Sequence, residues 1–550
     1  MAIVTFSKKQ FEKDIGIFDE KIKDKIAMFG TPLEREEGDS ISIEVFPNRP
    51  DLLSYQGFKR GFLGFLGKRT GLIQYKLSKP EENYKVIIDS SVRDIRPYTA
   101  CAVIKGLQLD DEKIKEIIQV QEMLHLTLGR RRKKAAIGIY PLEKIQLPIT
   151  FRAVEPDKIK FTPLEMDKEL SGLEILQKHS AGKEYAHLLA GKVKFPIFVD
   201  AKDQVLSMPP IINSQLTGRI TSETKDVFVE CSGSDMNILK ICLNIIATCF
   251  ADMGGKIYQM ELSRGQLRGK ETTPDFTPRV MKISLENTNK LLGTSITEKE
   301  LKECLEKMGY NYKSKLVEIP AWRTDILHEV DLIEDVAIAY GYENLVPEIP
   351  EISTTGKESG KEKIKRSIAL ILAGLGFLEA SSYHLTNKKA QIENMNLPEK
   401  ERVIEVEQSK TEYNALRKNL THSLLKILSE NVDSEYPQKI FEVGKIFNLV
   451  SEKITEKESL SLAIAPGNFT ETRQAIEYLF RMLEINAVFS EPKNMPSWFI
   501  DGRTAEISIN GKSIGFIGEI HPKILKNWKI KMPVALFEID LEEIFKKLIA

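Results

Sequence analysis

One stretch rich in Pro, Glu, Ser and Gly, VPEIPEISTTGKESGKEK, constrains what this chain can fold into more than any other feature. It is the best linker candidate in the chain, and a linker is expected over 347–360. At roughly 150 residues per domain, 550 residues suggest three or four domains. Apolar residues make up 42% of the chain, enough for several cores. The 79 basic and 79 acidic side chains cancel, so there is neither a polybasic nor an acidic tail. A nucleic-acid partner would have to be met by a local basic patch.

The five cysteines, Cys101, Cys231, Cys242, Cys249 and Cys304, are odd in number, widely spread and without a C-x-x-C pair. That argues against zinc fingers, Fe–S sites and a disulfide framework, and for a reducing, cytoplasmic setting. The opening MAIVTFSKKQFEKDIG lacks the basic-then-apolar order of a signal peptide. No run of 18 uncharged apolar residues occurs, so no membrane-spanning helix is expected.

Periodicity divides the rest. Residues 1–85 read as an N-terminal α/β domain, with a strand at MAIVTF, a helix over 14–29 and an amphipathic helix capped by Asp51. Residues 86–268 mix strands such as AAIGIY and DVFVECSG with helices such as KIKEIIQVQEMLHLTLG and the long apolar 237–250 helix, an α/β domain. Residues 269–346 read as a small helical domain. Its clearest helix has Thr297 and Glu300 as a capping box, Leu301, Leu305 and Met308 on one face, and Gly309 at its end. A second helix shows the stripe Val330, Ile333, Val336 or Ala337, and Tyr340. Residues 361–550 read as one more α/β domain. The class is α+β, multidomain.

Asp331, Glu334 and Asp335 are spaced i, i+3, i+4 on this second helix, and Asp325 precedes it. Carboxylates so close repel unless a cation lies among them, and four hard oxygen donors without His or Cys suit Mg2+. The plainer alternative is a solvated acidic face, with Asp325 as a cap. Farther back, the run Gly129-Arg130-Arg131-Arg132-Lys133-Lys134 is the strongest basic patch. It suits phosphate contacts, or is a solvated turn before a strand.

The text around the carboxylates, VEIPAWRTDILHEVDLIEDVAIAYGYENL (317–345), resembles the phenylalanyl-tRNA synthetase β-subunit family. So do IEVFPNRPDLLSYQGFKRGFLGFLG, LHLTLGRRRKKAAIGIYPLEKI, VLSMPPIINSQLTG, ALRKNLTHSLLKILSENV, KIFEVGKIF and GRTAEISINGKSIGFIGEIHPKIL, nearly end to end. The MPPIINS form and the length are of the archaeal or eukaryotic type.

The resemblance implies an α2β2 heterotetramer that joins phenylalanine to its tRNA using ATP, with adenylate formed in the α subunit. It implies a winged-helix-like small domain and a C-terminal class II synthetase-like antiparallel sheet domain without its catalytic residues. No ATP-clamping constellation surrounds Arg417 or Arg503. The family's magnesium ligands carry over to Asp325, Asp331, Glu334 and Asp335, with the α chain completing the coordination. The central domain would be an editing-type domain that hydrolyses mischarged tyrosyl-tRNA. Its candidate residues are Asp235, then Ser214 and Asn213, with Leu206 as a wall. Asp235 could equally cap the following helix. His125, His179 and His187 have no catalytic context, so hydrolysis would rest on a positioned water and the tRNA's terminal hydroxyl. The rivals are a free-standing deacylase and a non-enzymatic nucleic-acid-binding scaffold.

Overall fold

Strands with every residue buried need cover on both faces. Val227–Gly233 and Ala135–Pro141 are buried throughout, and Tyr98–Lys105 nearly so. The computed structural model, which describes residues 2–263, 271–352, 354–398, 400–407 and 409–549, supplies that cover. Val227–Gly233 lies between the other two strands, antiparallel to both. On one face Ala102, Ile104, Val229, Cys231 and Ile137 pack under the helix Met236–Asp252. On the other, Cys101, Val103, Tyr140 and Phe228 share a core with Val86, Phe151, Phe198 and Leu262.

Those last residues belong to a second half of the same sheet. Lys256–Ser263 pairs antiparallel with Tyr98–Lys105 through its first residues and parallel with Lys85–Ile88 through its last. From there the order continues through Ile149–Val154, Phe195–Val199, Val205–Met208 and Ile212–Asn213. One strand thus belongs to both halves, and the alternating side chains of each strand serve two cores.

The chain forms two compact units, Met1–Ile349 and Pro350–Ala550, with the division inside the expected linker. The expected boundary at 268/269 and residue 353 of the linker lie outside the described residues. The boundary at 85/86 falls within the strand Lys85–Ile88.

In the first unit, Ala2–Ser7, Ser40–Val45 and Leu33–Glu37 form an antiparallel sheet. The helix expected over 14–29 is two helices, Lys8–Asp14 and Glu20–Met28. Gly16 at φ 137° interrupts them, and Asp19 caps the second. Ser54, not Asp51, caps Tyr55–Phe65; Asp51 is engaged by Nε and Nη2 of Arg49, each at 2.9 Å. Residues 279–340 form a three-stranded antiparallel sheet with three helices, the small winged-helix-like domain. The Thr297–Glu300 capping box is present, and Gly309 takes φ 84° just past the helix end. The stripe of Glu329–Tyr340 is shifted. Leu332, Ile333, Val336 and Ala339 are buried, whereas Val330 is 55% exposed.

The second unit is built on a seven-stranded sheet, antiparallel except for the edge pair of Leu378–Glu379 with Gln438–Val450. Along Lys453–Ala465, Leu460, Leu462 and Ile464 face the helices Gly360–Gly374, Phe469–Met482 and Glu542–Ile549. Ala463 and Ala465 face Thr421–Glu430 on the other side. Among the described residues, no helix is long and apolar enough to cross a membrane.

Candidate functional site

A cavity of about 580 Å³ lies in the first unit. The helix Asp111–Leu126 contributes Ile117, Gln121 and Glu122, and the strand Ala135–Pro141 contributes Ile137 and Ile139. Pro209, Pro210, Ile211 and Asn213 form a further wall, and Arg219 stands exposed among the lining residues. The lining is therefore largely aliphatic, suited to an apolar or aromatic group.

Among its polar side chains Glu230, Ser207 and His125 are buried, whereas Glu165 and Arg219 are exposed. Glu230 and Ser207 both line it, and among the described residues Glu230 Oε2 and Ser207 Oγ make no well-aligned hydrogen bond, although the Ser232 hydroxyl lies near Glu230 and the Tyr140 hydroxyl near Ser207. Buried polar atoms are almost always paired, so these two, with Arg132 Nε as a third on the same lining, mark a place where a ligand or water would supply bonds. Burial pushes the Glu230 carboxyl up to about 8, against the lowering influence of Arg96 and Tyr140. Burial thus favours the protonated, neutral carboxyl near neutral pH. The Tyr140 hydroxyl lies 3.3 Å from both Glu230 Oε1 and Asn213 Oδ1, which share its single proton.

Gly138 lies opposite Glu230 in the sheet and makes this arrangement possible. A Cβ there would stand 2.1 Å from the Tyr140 hydroxyl and 2.7 Å from Glu230 Oε1. Gly138→Ala should lower stability by about 1–3 kcal/mol through overpacking. Urea unfolding checks it, and an unchanged midpoint contradicts it.

Of the four residues expected at a hydrolytic site, Asn213 lines this cavity. Leu206 points into the core between the two halves of the sheet. Ser214 is buried in a turn, its backbone N–H donating to Leu206 O at 2.8 Å and its Oγ accepting from Leu216 N. Asp235 caps Met236–Asp252, accepting from Asn237 N at 3.1 Å, and is not among the lining residues. The buried polar residues of the lining include Ser207, one residue beyond Leu206, and Glu230, five before Asp235. The available signal was a lone carboxylate inside the apolar alternation DVFVECSG.

Among the lining residues no nucleophile–base pair is formed. His125 lines the cavity, but its Nε2 accepts from Ile137 N at 2.8 Å while Nδ1 faces Glu122 at 3.1 Å. Burial holds its pKa below the usual value. His179 is held by Leu164 O and Ala181 N, and His187 by Glu184 O.

The four carboxylates of 325–335 have other partners. Arg323 Nε and Nη2 donate to Asp325 at 2.8 and 2.7 Å, and Nη2 also donates to Asp335 at 2.7 Å. The Tyr310 hydroxyl donates to the same Asp335 oxygen. Asp331 accepts from the backbone of Leu327 and His328, each at 2.7 Å, and Glu334 is exposed. Among the described residues, no group of three or more His, Cys, Asp or Glu is placed to hold a metal. Arg323 thus neutralises Asp325 and Asp335, while Asp331 is held by backbone N–H groups and Glu334 faces solvent, so the four carboxylates do not converge on one point within this chain.

Residues 281–342 match the family model of the tRNA synthetase B5 domain, and 345–541 that of the phenylalanyl tRNA synthetase beta chain CLM domain. The chain is 40% identical over 552 residues to the phenylalanine–tRNA ligase beta subunit of Archaeoglobus fulgidus, covering 99% of both. This chain belongs to the phenylalanine–tRNA ligase β-subunit family. The β subunit of Thermococcus sibiricus is 41% identical over 510 residues, 91% of this chain and 90% of that one. A solved N-terminal fragment of the phenylalanyl-tRNA synthetase beta-subunit from Pyrococcus horikoshii is similar at TM-score 0.59 and 38% identity. It is covered to 99% and spans 62% of this chain.

In this member of the β-subunit family, the two C-terminal arginines are already engaged. Arg417 donates to Lys445 O at 2.7 Å, Ser382 Oγ at 2.8 Å and Glu442 at 2.6 Å. Arg503 pairs with Glu519 at 2.7 Å on the surface.

Proposed function

We propose that this chain acts with an α subunit, as an α2β2 assembly, in the ATP-dependent attachment of phenylalanine to its tRNA. We propose further that its own cavity hydrolyses tyrosyl-tRNA formed in error. The observation that carries the second part is the pair of buried polar atoms without a well-aligned hydrogen bond, Glu230 Oε2 and Ser207 Oγ, on an aliphatic cavity. A phenol ring suits the walls, and a phenol hydroxyl would bond both groups once the buried Glu230 and Ser207 side chains turn towards the cavity. Phenylalanine would leave both unpaired, and a site built to bond a hydroxyl rejects the analogue lacking it by about 10⁴-fold or more.

In the hydrolysis, water attacks the ester carbonyl carbon, the bond to the ribose oxygen breaks, and the water proton passes to that oxygen. Asn213, with Oδ1 held by Tyr140, directs its amide donors to the carbonyl oxygen, where charge develops. The terminal ribose hydroxyl adjacent to the ester relays the proton. No side chain is required as nucleophile.

Copurification tests the first part: a stoichiometric partner with which the pair aminoacylates tRNA with phenylalanine is expected, and a lone monomer contradicts it. Magnesium enters as an ion of the assembled enzyme, with Asp331 and the exposed Glu334 as the ligands nearest to hand. Titration of MgCl2 into the β chain alone should show no saturable heat, whereas the complex should bind it. Saturable binding by the β chain alone contradicts this.

A further inference from the structure

The run from Gly129 to Lys134 joins Asp111–Leu126 to Ala135–Pro141, two walls of the cavity. Within it Arg130, Arg131 and Arg132 take φ of 46°, 52° and 62°. Left-handed backbone costs an L-residue free energy at each position, and solvated turns place glycine or asparagine there. Three successive arginines persist only where their surroundings hold them.

Arg132 provides that hold. Its guanidinium donates to Ile211 O at 2.9 Å and Glu122 at 3.1 Å, and lies 4.5 Å from the Tyr185 ring centre. Its backbone N–H donates to His125 O at 3.1 Å. Gly129 admits no side chain, because a Cβ would meet Ala135 O at 2.6 Å and His125 O at 2.7 Å. The turn is thus bolted to the cavity wall by one arginine. Arg130, Arg131 and Lys133 are left exposed, and among the described residues none of them has a carboxylate partner.

We propose that Arg130, Arg131 and Lys133 form a preorganised phosphate clamp beside the cavity. It grips the backbone of the single-stranded 3′ end of a tRNA as the terminal aminoacyl nucleotide enters. This rests on the reading of the cavity given above. Guanidinium forks match phosphate oxygens, and the fixed turn removes the ordering cost that a flexible basic loop carries.

The test uses the full chain with its copurified partner. Binding of uncharged tRNA and single-turnover deacylation of tyrosyl-tRNA are both measured across KCl concentrations. The Arg130→Gln, Arg131→Gln, Lys133→Gln triple variant should flatten the slope of log affinity against log salt by about 2, at roughly 0.7 per single-strand phosphate contact. Arg130→Lys with Arg131→Lys should keep the wild-type slope. Arg130→Gly with Arg131→Gly should raise the melting temperature while flattening the slope, a combination that a purely structural turn does not give. A flattened slope in an enzyme that deacylates nothing upholds the clamp and defeats the cavity reading. An unchanged slope in the triple-glutamine variant overturns the clamp, whatever the deacylation result.

Discussion

Enzyme carrying Glu230→Leu should hydrolyse phenylalanyl-tRNA at a rate approaching that for tyrosyl-tRNA. The substitution removes the buried Oε2 that phenylalanine would leave unpaired and puts hydrocarbon against its ring edge. Ser207 alone remains to favour the phenol. Selectivity should therefore fall by on the order of a thousandfold, mostly through faster hydrolysis of the cognate ester. Single-turnover deacylation of both esters measures it, and a variant that still spares phenylalanyl-tRNA contradicts it.

The same residue sets a pH dependence. Its folded pKa is raised from 4.5 to about 8 by burial, so the folded chain retains a proton that the unfolded chain loses. That contribution to stability is full below about 4.5 and is lost as pH rises through 8. Glu116, pushed up to about 7 by burial, acts in the same direction. Glu230→Gln should thus flatten, without abolishing, the decline of stability towards alkaline pH. Selectivity for tyrosine should hold to about pH 7.5 and change above 8, where Glu230 becomes an acceptor only.

Arg323→Ala should destabilise the chain by about 3–5 kcal/mol, because it strands two carboxylates that share one buried guanidinium. Arg323 is 3% exposed and Asp335 5%, so little water can replace the lost bonds. Arg323→Lys should recover only part of the loss, since an ammonium cannot reproduce the forked contact with Asp325. Asp335→Asn in the Arg323→Ala background should restore stability by removing the stranded charge. Chemical denaturation reads all three, and a loss below about 1 kcal/mol for Arg323→Ala would mean the pair is solvated.

The features legible in the sequence are those written within a few residues. The Thr297–Glu300 capping box and Gly309 depend on neighbours three or four positions away, and the structure has them as expected. The family motifs around Trp322 and Arg323 belong to the same class. Harder to read were features set by which face of a strand looks at the cavity. Leu206 and Ser207 are adjacent, as are Asn213 and Ser214, yet one of each pair lines the cavity and the other does not. A one-residue step reverses a side chain, and nothing local fixes which face is inward. Asp235 is conspicuous because it starts a helix, and it caps that helix. Glu230 matters because of Gly138 and Tyr140 on the neighbouring strand, some ninety residues earlier in the chain. Arg323 stands two residues before Asp325, but its claim on Asp335 depends on where the next helix packs.

Single-turnover hydrolysis by the wild-type complex, with tyrosyl- and phenylalanyl-tRNA compared side by side, decides whether the cavity removes tyrosine selectively. Rapid release of tyrosine and negligible release of phenylalanine are expected, with Ser207→Ala and Glu230→Leu each narrowing the gap. Equal rates for the two esters, or no hydrolysis of either, would contradict this.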